Sequence, residues 1–236
     1  MNVKILFDNN VFNNKLTTGH GFSCLVELNQ MSLLFDTGSD SSILLNNMNR
    51  LRINHEDIDT IMLSHIHNDH VGGLSGFLEQ KRAVTIYLLA SFPRSYKDRI
   101  ESLGATVEEV EKHREVFPGI YTTGELGSDI REQSLVINTT EGTLIVTGCA
   151  HPGILEIIKK AQYIIPGKMV YLVMGGFHLS GASSKIIKYI ADSFVELGVA
   201  TVAPCHCSGD EARKIFKKQY EEKYIESGVG KIITLL

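Results

Sequence analysis

The sequence predicts an α+β fold in which two sheets lie between helices. Short apolar runs rich in β-branched and aromatic residues, closed by turn residues, dominate the stretch around the first histidines. Later in the chain, strand-like runs alternate with segments of helical period. Two sheets covered by helices satisfy both patterns. No low-complexity linker or composition break interrupts the 236 residues, so one domain over residues 1–236 is expected.

The elements follow in order. Val3–Phe7 reads as a strand. Phe22–Leu28 and Met31–Phe35 read as a hairpin turning at Asn29-Gln30, and Asp36-Thr37-Gly38 closes its second arm. Ser41–Leu51 has the spaced apolar residues of a helix. Asp59–Leu63 is a short buried strand, and Val71–Gln80 is expected to be helical. Val84–Leu89, Tyr96–Leu103 and Thr106–Val110 read as strand, helix and strand, with Gly104 as a helix stop. The Pro- and Gly-rich stretch Phe117–Gly127 holds turns and one short strand. Ser134–Asn138 and Thr143–Val146 form a second hairpin around Glu141-Gly142. The helix Pro152–Ile165 has Pro152 near its first position. The strand Met169–Met174, the helix Ser183–Leu197 and the strand Val199–Ala203 follow. Ser208-Gly209-Asp210-Glu211 has the form of a capping box opening a last helix, and Ile232–Leu235 reads as an edge strand.

Composition narrows the function classes. The formal net charge of −4 gives no support for a nucleic-acid partner, and the basic cluster Arg213, Lys214, Lys217, Lys218 reads as a solvated helix face. Four cysteines do not make a disulfide scaffold, so a reducing cytoplasm is expected. No signal-peptide pattern and no apolar run of membrane-spanning length is present, so no membrane association is expected. The oligomeric state is not encoded in any motif.

The chemistry is concentrated in His65-Ile66-His67-Asn68-Asp69-His70. This H-x-H-x-D-H run supplies three imidazoles and a carboxylate directly after the apolar run Ile61-Met62-Leu63. Those donors suit zinc, manganese or iron. In an extended turn His65 and His67 point the same way, and Asp69 and His70 can face a second ion. A polar loop that merely happens to be rich in histidine would not place four ligand residues in six positions.

Three further histidines each follow an apolar run. His151 follows Leu144–Ala150, His178 follows Tyr171–Phe177, and His206 follows Thr201–Cys205. Strand ends in layered folds are where ligand groups converge, so all three are site candidates. His20, beside Gly21, is a weaker candidate for lining a cleft. His55 sits at a turn, and His113 in a charged stretch is expected to be exposed. Cys205-His206-Cys207 has no second cysteine pair, which argues against a zinc finger. In an extended segment His206 would enter the site while both cysteines face away.

These motifs resemble the metallo-β-lactamase superfamily over essentially the whole chain, with His65–His70 matching its metal signature and Phe35-Asp36-Thr37-Gly38 its strand-end aspartate segment. Thr147–Gly153, Met174–Leu179 and Pro204–Gly209 resemble a subfamily that carries the name 7,8-dihydropterin-6-methyl-4-(β-D-ribofuranosyl)aminobenzene 5′-phosphate synthase. The resemblance implies a four-layer αββα sandwich with two mixed sheets between helices. It implies that His65, His67 and His151 hold one ion and that Asp69, His70 and His206 hold another. Asp36 would fix the histidine loop from behind by hydrogen bonds. The superfamily supplies a bridging aspartate at the end of the strand before the last histidine. This chain has Gly175-Gly176 there, and His178 is the nearest replacement, as an extra ligand or as a substrate contact.

The expected activity is that of a metal-dependent hydrolase or phosphate-transforming enzyme, and the resemblance implies a small anionic, phosphorylated, pterin- or nucleotide-like substrate. One or two divalent ions are expected, zinc foremost, with manganese, iron or magnesium as alternatives. Such an ion lowers the pKa of bound water toward about 7. Asp69 and His178 are the expected catalytic residues, orienting water and assisting the leaving group. The helix starts near Pro152, Ser183 and Ser208 offer N–H groups to an anion, and Phe22, Phe177 and Tyr96 are candidates to stack on a flat ring. Two alternatives are a phosphodiesterase or nuclease of the same superfamily, and a metal-binding sensor without turnover.

Overall fold

A computed structural model describes residues 1–28 and 31–235. The expected hairpin turn at Asn29-Gln30 lies outside these residues. The chain divides into two compact units, Met1–Glu111 with Gly228–Leu235, and Lys112–Ser227.

Unit 1 is built on the strands β1 (Asn2–Phe7), β2 (Ser23–Leu28), β3 (Met31–Phe35), β4 (Thr60–Met62), β5 (Thr85–Leu89) and β6 (Thr106–Val110). The late strand Ile232–Thr234 pairs antiparallel with β1 at the sheet edge, as the sequence suggested. β1, β2 and β3 run antiparallel to one another, whereas β3 to β6 run parallel. The parallel stretches are joined by α1 (Ser41–Arg50), α2 (Asn68–Val71), α3 (Leu74–Gln80) and α4 (Arg94–Ser102). Asp40 caps α1, its Oδ1 accepting the Ile43 N–H at 3.0 Å. Leu44, Met48, Leu74, Phe77 and Leu78 turn inward onto Leu34, Ile61 and Ile86 in one apolar cluster.

The expected helix Val71–Gln80 is in fact two. α2 begins three residues earlier, inside the histidine motif, and the chain breaks at Gly72-Gly73 before α3. The break has a steric cause. A Cβ on Gly73 would lie 2.3 Å from the Thr37 carbonyl oxygen, and one on Gly72 would lie 2.5 Å from that of Ser39. The glycines let the Asp36–Ser39 segment approach the backbone.

Unit 2 carries β7 (Lys112–Phe117), β8 (Ile120–Gly124), β9 (Leu135–Asn138), β10 (Thr143–Thr147), β11 (Val170–Gly176) and β12 (Val199–Cys205), in the spatial order β12-β11-β10-β9-β8-β7. β7 to β10 are antiparallel, and β10, β11 and β12 are parallel. The connecting helices are α5 (Ile154–Ile164) and α6 (Ser184–Glu196), and α7 (Asp210–Tyr220) follows β12; Phe216 packs edge-on against Phe177 and Phe194 in their core. β7 is a charged edge strand that the sequence left unassigned. His113 within it is exposed, as expected.

Three local expectations are corrected. Pro152 stands before α5 and not within it, because Gly153 at φ 92° takes the N-cap. Ser208 does not cap α7. Its Oγ accepts the Phe177 N–H at 3.0 Å, while Glu211 is engaged by Ser184. Arg213 leaves the solvated face to pair with Glu226 at 2.6 Å and to donate to the Ser227 carbonyl. The two mixed sheets with helical cover are the α+β class that the sequence called for. Among the described residues, no helix is long and apolar enough to cross a membrane.

Candidate metal centre

In unit 1 the parallel pairing of β3 and β4 sets Phe35 opposite Met62, so Asp36 and Ser64 emerge side by side. Asp36 has a left-handed backbone (φ 57°), rare for a side-chain-bearing residue, which turns its fully buried carboxylate onto the histidine loop. Oδ1 accepts the Ser64 N–H at 2.7 Å; Oδ2 accepts the Ser64 hydroxyl at 2.7 Å and lies 2.7 Å from His70 Nδ1. Ser64 Oγ in turn lies 2.8 Å from His65 Nδ1. One carboxylate therefore orients two imidazoles through their Nδ1 atoms, which leaves Nε2 as the nitrogen each could offer to an ion.

His65 Nε2 stands 3.2 Å from His67 Nδ1, and the His65 and His70 ring centroids are 4.2 Å apart. Two nitrogens on one tetrahedral zinc, each at roughly 2.0 Å, are separated by about 3.3 Å. The donor spacing thus fits an ion shared by His65 and His67. Asp69, on the first turn of α2, places Oδ2 3.5 Å from His70 Nε2 and 3.4 Å from His20 Nε2. His20 is exposed at the rim, with Nδ1 3.2 Å from the Asn9 amide. Burial pulls the His70 imidazole toward neutrality, but the charge and hydrogen bond of Asp36, and then Asp69, raise it to about 10. Burial also pushes the Asp36 carboxyl up, against the pull of His70 and Ser64. Both shifts favour the protonated form of the pair, and the 2.7 Å contact aims His70 Nδ1 at the Asp36 carboxylate.

In unit 2 the aligned ends of β10, β11 and β12 set Thr147, Gly175 and Pro204 side by side, so the segments after them emerge together. His178 and His206 follow directly with left-handed backbones (φ 54° and 47°), as does Ala150 (φ 62°) before His151. Clustered strain of this kind marks functional positions. His151 and His178 lie ring to ring, with centroids 4.6 Å apart.

Glu132 organises this end and is almost fully buried. Its Oε1 accepts the Cys149 and Ala150 N–H groups at 2.8 and 2.9 Å and the Thr147 hydroxyl at 3.1 Å. Its Oε2 accepts the His151 N–H at 2.9 Å and lies 2.9 Å from His151 Nδ1. Glu132 thus stands to His151 as Asp36 stands to His70.

The expectation that both cysteines of Cys205-His206-Cys207 face away holds only for Cys205, which is buried in the strand. The segment after Cys205 is a 3-10 turn and not extended, so alternation is lost. Cys207 faces the same cluster as Cys149 and His178. Cys149 Sγ lies 3.3 Å from His206 Nε2, and the Cys207 thiol donates to the Cys149 carbonyl at 3.6 Å. The Cys149 hydrogen bond, against burial and with help from His178, holds the Cys207 thiol well below its ordinary range. The Cys207 hydrogen bond in turn raises His178, against burial.

The glycine pair at the end of β11 also has a physical reason. A Cβ on Gly176 would meet the Gly148 carbonyl oxygen at 2.4 Å and Cys207 Sγ at 2.5 Å, and one on Gly175 would meet the Thr147 carbonyl oxygen at 2.0 Å. No acidic side chain can start from either position without moving the backbone. Cys149, Cys207 and Glu132 were missed by the sequence reading. The two cysteines flank predicted ligands, a signal that the assumption of an extended backbone suppressed. Glu132 lies in an irregular stretch with no pattern to mark it.

A family model described as the metallo-beta-lactamase superfamily matches residues 16–206, more than half of the chain. The chain is 30% identical to the 7,8-dihydropterin-6-methyl-4-(beta-D-ribofuranosyl)-aminobenzene-5'-phosphate synthase of Methanocaldococcus jannaschii, over 94% of this chain and 92% of that protein. It is 31% identical to an uncharacterized protein of the same organism, over 99% of this chain and all of the other. Among solved structures it resembles Tm1679, described as a metal-dependent hydrolase of the beta-lactamase superfamily, with a TM-score of 0.83 and 28% identity over 100% of this chain and 99% of that one.

Proposed function

The chain belongs to the metallo-β-lactamase superfamily, and from that premise we propose that it is a metal-dependent hydrolase or phosphate-transforming enzyme acting on a small anionic, phosphorylated substrate of pterin- or nucleotide-like form. On this reading residues 1–236 act as one metallo-β-lactamase-like domain. His65, His67 and His151 hold one divalent ion, and Asp69, His70 and His206 hold a second. Zinc is the first choice for imidazole-rich sites, with manganese, iron or magnesium as alternatives.

The observation that carries the proposal is that the histidines are held as ligands are held. In each unit a buried carboxylate fixes an imidazole through Nδ1, Asp36 on His70 and Glu132 on His151, and Ser64 extends the same support to His65. The donor set also suits the ion, since the His65–His67 spacing of 3.2 Å matches shared coordination.

A bound divalent ion supplies Lewis acidity, polarising a phosphoryl or carbonyl oxygen and acidifying water. Asp69, half-buried at the start of α2, orients the attacking water and accepts its proton. His178 is exposed, and its imidazole is raised by Cys207, so it delivers a proton to the departing group. A cavity of about 260 Å³ beside α2, lined by Asn68, Tyr96 and Arg99 among others, gives unit 1 a place for part of an anionic substrate.

Metal analysis of the purified chain, followed by a panel of phosphomonoesters, phosphodiesters and lactones, tests this reading. Metal-stimulated release of phosphate or ring-opened product supports it, and His67→Ala should abolish that turnover. Full turnover in His67→Ala at wild-type metal content refutes the assignment. One observation favours a second reading. The glycine pair at the end of β11 removes the usual bridging acid, as a sensor without turnover would tolerate. Tight ligand binding with no product across the panel selects that reading. Hydrolysis confined to the diesters would select a phosphodiesterase or nuclease.

A further inference from the structure

At its strand ends unit 2 gathers two cysteines that the proposed enzyme does not use, beside His178, whose proton-donating role a bound cation would replace. Cys149 follows β10, His178 follows β11 and Cys207 follows β12. Their ligand atoms, two sulfurs and a ring nitrogen, all lie within 4.8 Å of one another. His206 Nε2 stands 3.3 Å from Cys149 Sγ. On a tetrahedral ion with bonds of roughly 2.3 Å to sulfur and 2.0 Å to nitrogen, unlike ligands are separated by about 3.5 Å. The side chains therefore need only small movements to close on a cation. The bare Cα of Gly176 makes room for this, because any Cβ there would lie 2.5 Å from Cys207 Sγ.

We propose that Cys149, His178 and Cys207 form a soft-donor cation site of their own, which prefers thiophilic ions such as zinc or cadmium over magnesium or manganese. Thiolate ligands set that preference. Two thiolates and a neutral imidazole balance a dication, which lets a buried position hold the ion without net charge. Any proton still on either thiol leaves to solvent as the ion enters. Exposed His178 and half-buried Cys207 give the ion its path, while Cys149 lies beneath. Cys24 and Cys205 are fully buried within strands and take no part. All three ligands belong to unit 2, and the His67→Ala arm of the test separates this site from the His65–His67 assignment.

The test uses the full chain, stripped by a chelator under reducing conditions and titrated with cadmium alone. A near-ultraviolet sulfur-to-metal charge-transfer absorption should appear and saturate at one ion. Cys149→Ser and Cys207→Ser should each abolish it, and His67→Ala should retain it. His178→Ala, at an exposed position, should keep the absorption but weaken cadmium binding about tenfold or more; it carries the test if a serine variant fails to fold. No absorption in the folded wild type, full absorption in both serine variants, or unchanged affinity in His178→Ala would overturn the site. Loss of the absorption in folded His67→Ala would also overturn it, by showing that the thiols serve the histidine-loop ion.

Discussion

The two ligand clusters are built by opposite means. In unit 1 one short segment, His65–His70, carries every ligand candidate of the motif, and a single carboxylate from the neighbouring strand end fixes it. In unit 2 the candidates are spread over three strand ends, and a carboxylate from outside those strands gathers one of the three. Unit 1 offers nitrogen and oxygen, whereas unit 2 adds sulfur. A contiguous cluster needs local geometry and one anchor. A dispersed cluster needs correct strand register, left-handed backbone at each exit and space around glycine, so its accuracy is spread over the whole unit.

The largest test of that contrast is Asp36→Ala. Removing the buried carboxylate should cost about 3–5 kcal/mol, because the Ser64 N–H, the Ser64 hydroxyl and His70 Nδ1 all lose their buried acceptor. Urea denaturation of the metal-free chain measures it, and a cost under about 1 kcal/mol would mean that the loop holds itself. A pH series sharpens the result. The folded His70 value of about 10 exceeds its ordinary 6.5, so the folded chain binds more protons than the unfolded one between those values. The pair's stabilisation is full below about pH 6.5 and is lost as pH rises through about 10. The raised Asp36 carboxyl acts in the same direction. Asp36→Ala should flatten that slope.

Glu132→Gln comes next. It keeps the size but loses the charge, and it forces an amide N–H toward groups that now share a carboxylate. Zinc affinity should fall about 10–100-fold, with unit 1 unaltered, as read by competition with a chromogenic chelator. Unchanged affinity would place His151 outside the metal centre. The smallest effect expected is that of Ser208→Ala, which strips the acceptor from the Phe177 N–H and should cost about 1–2 kcal/mol in thermal or urea unfolding. A neutral result would show that the β11 exit is fixed by its glycines alone.

What the sequence made legible follows the same divide. His65–His70 was readable because its spacing lies within one segment. His151, His178 and His206 were readable because apolar runs announced their strand ends. Glu132 was not, since its role depends on five contacts with four residues, Thr147, Cys149, Ala150 and His151, that only tertiary folding supplies. The break at Gly72-Gly73 was hidden for a similar reason, being dictated by carbonyl groups more than thirty residues earlier. The charged strand β7 escaped because edge strands carry solvent-facing charge in place of apolar alternation.

The strand Ile232–Thr234 has a consequence for biosynthesis. It belongs to unit 1 yet follows all of unit 2 in the chain, and it covers one flank of β1. On a ribosome adding about 5–20 residues each second, the intervening segment takes roughly ten seconds to emerge. Throughout that interval the sheet of unit 1 waits with an uncovered flank, a template for unwanted pairing until Ile232–Thr234 arrives to seal it.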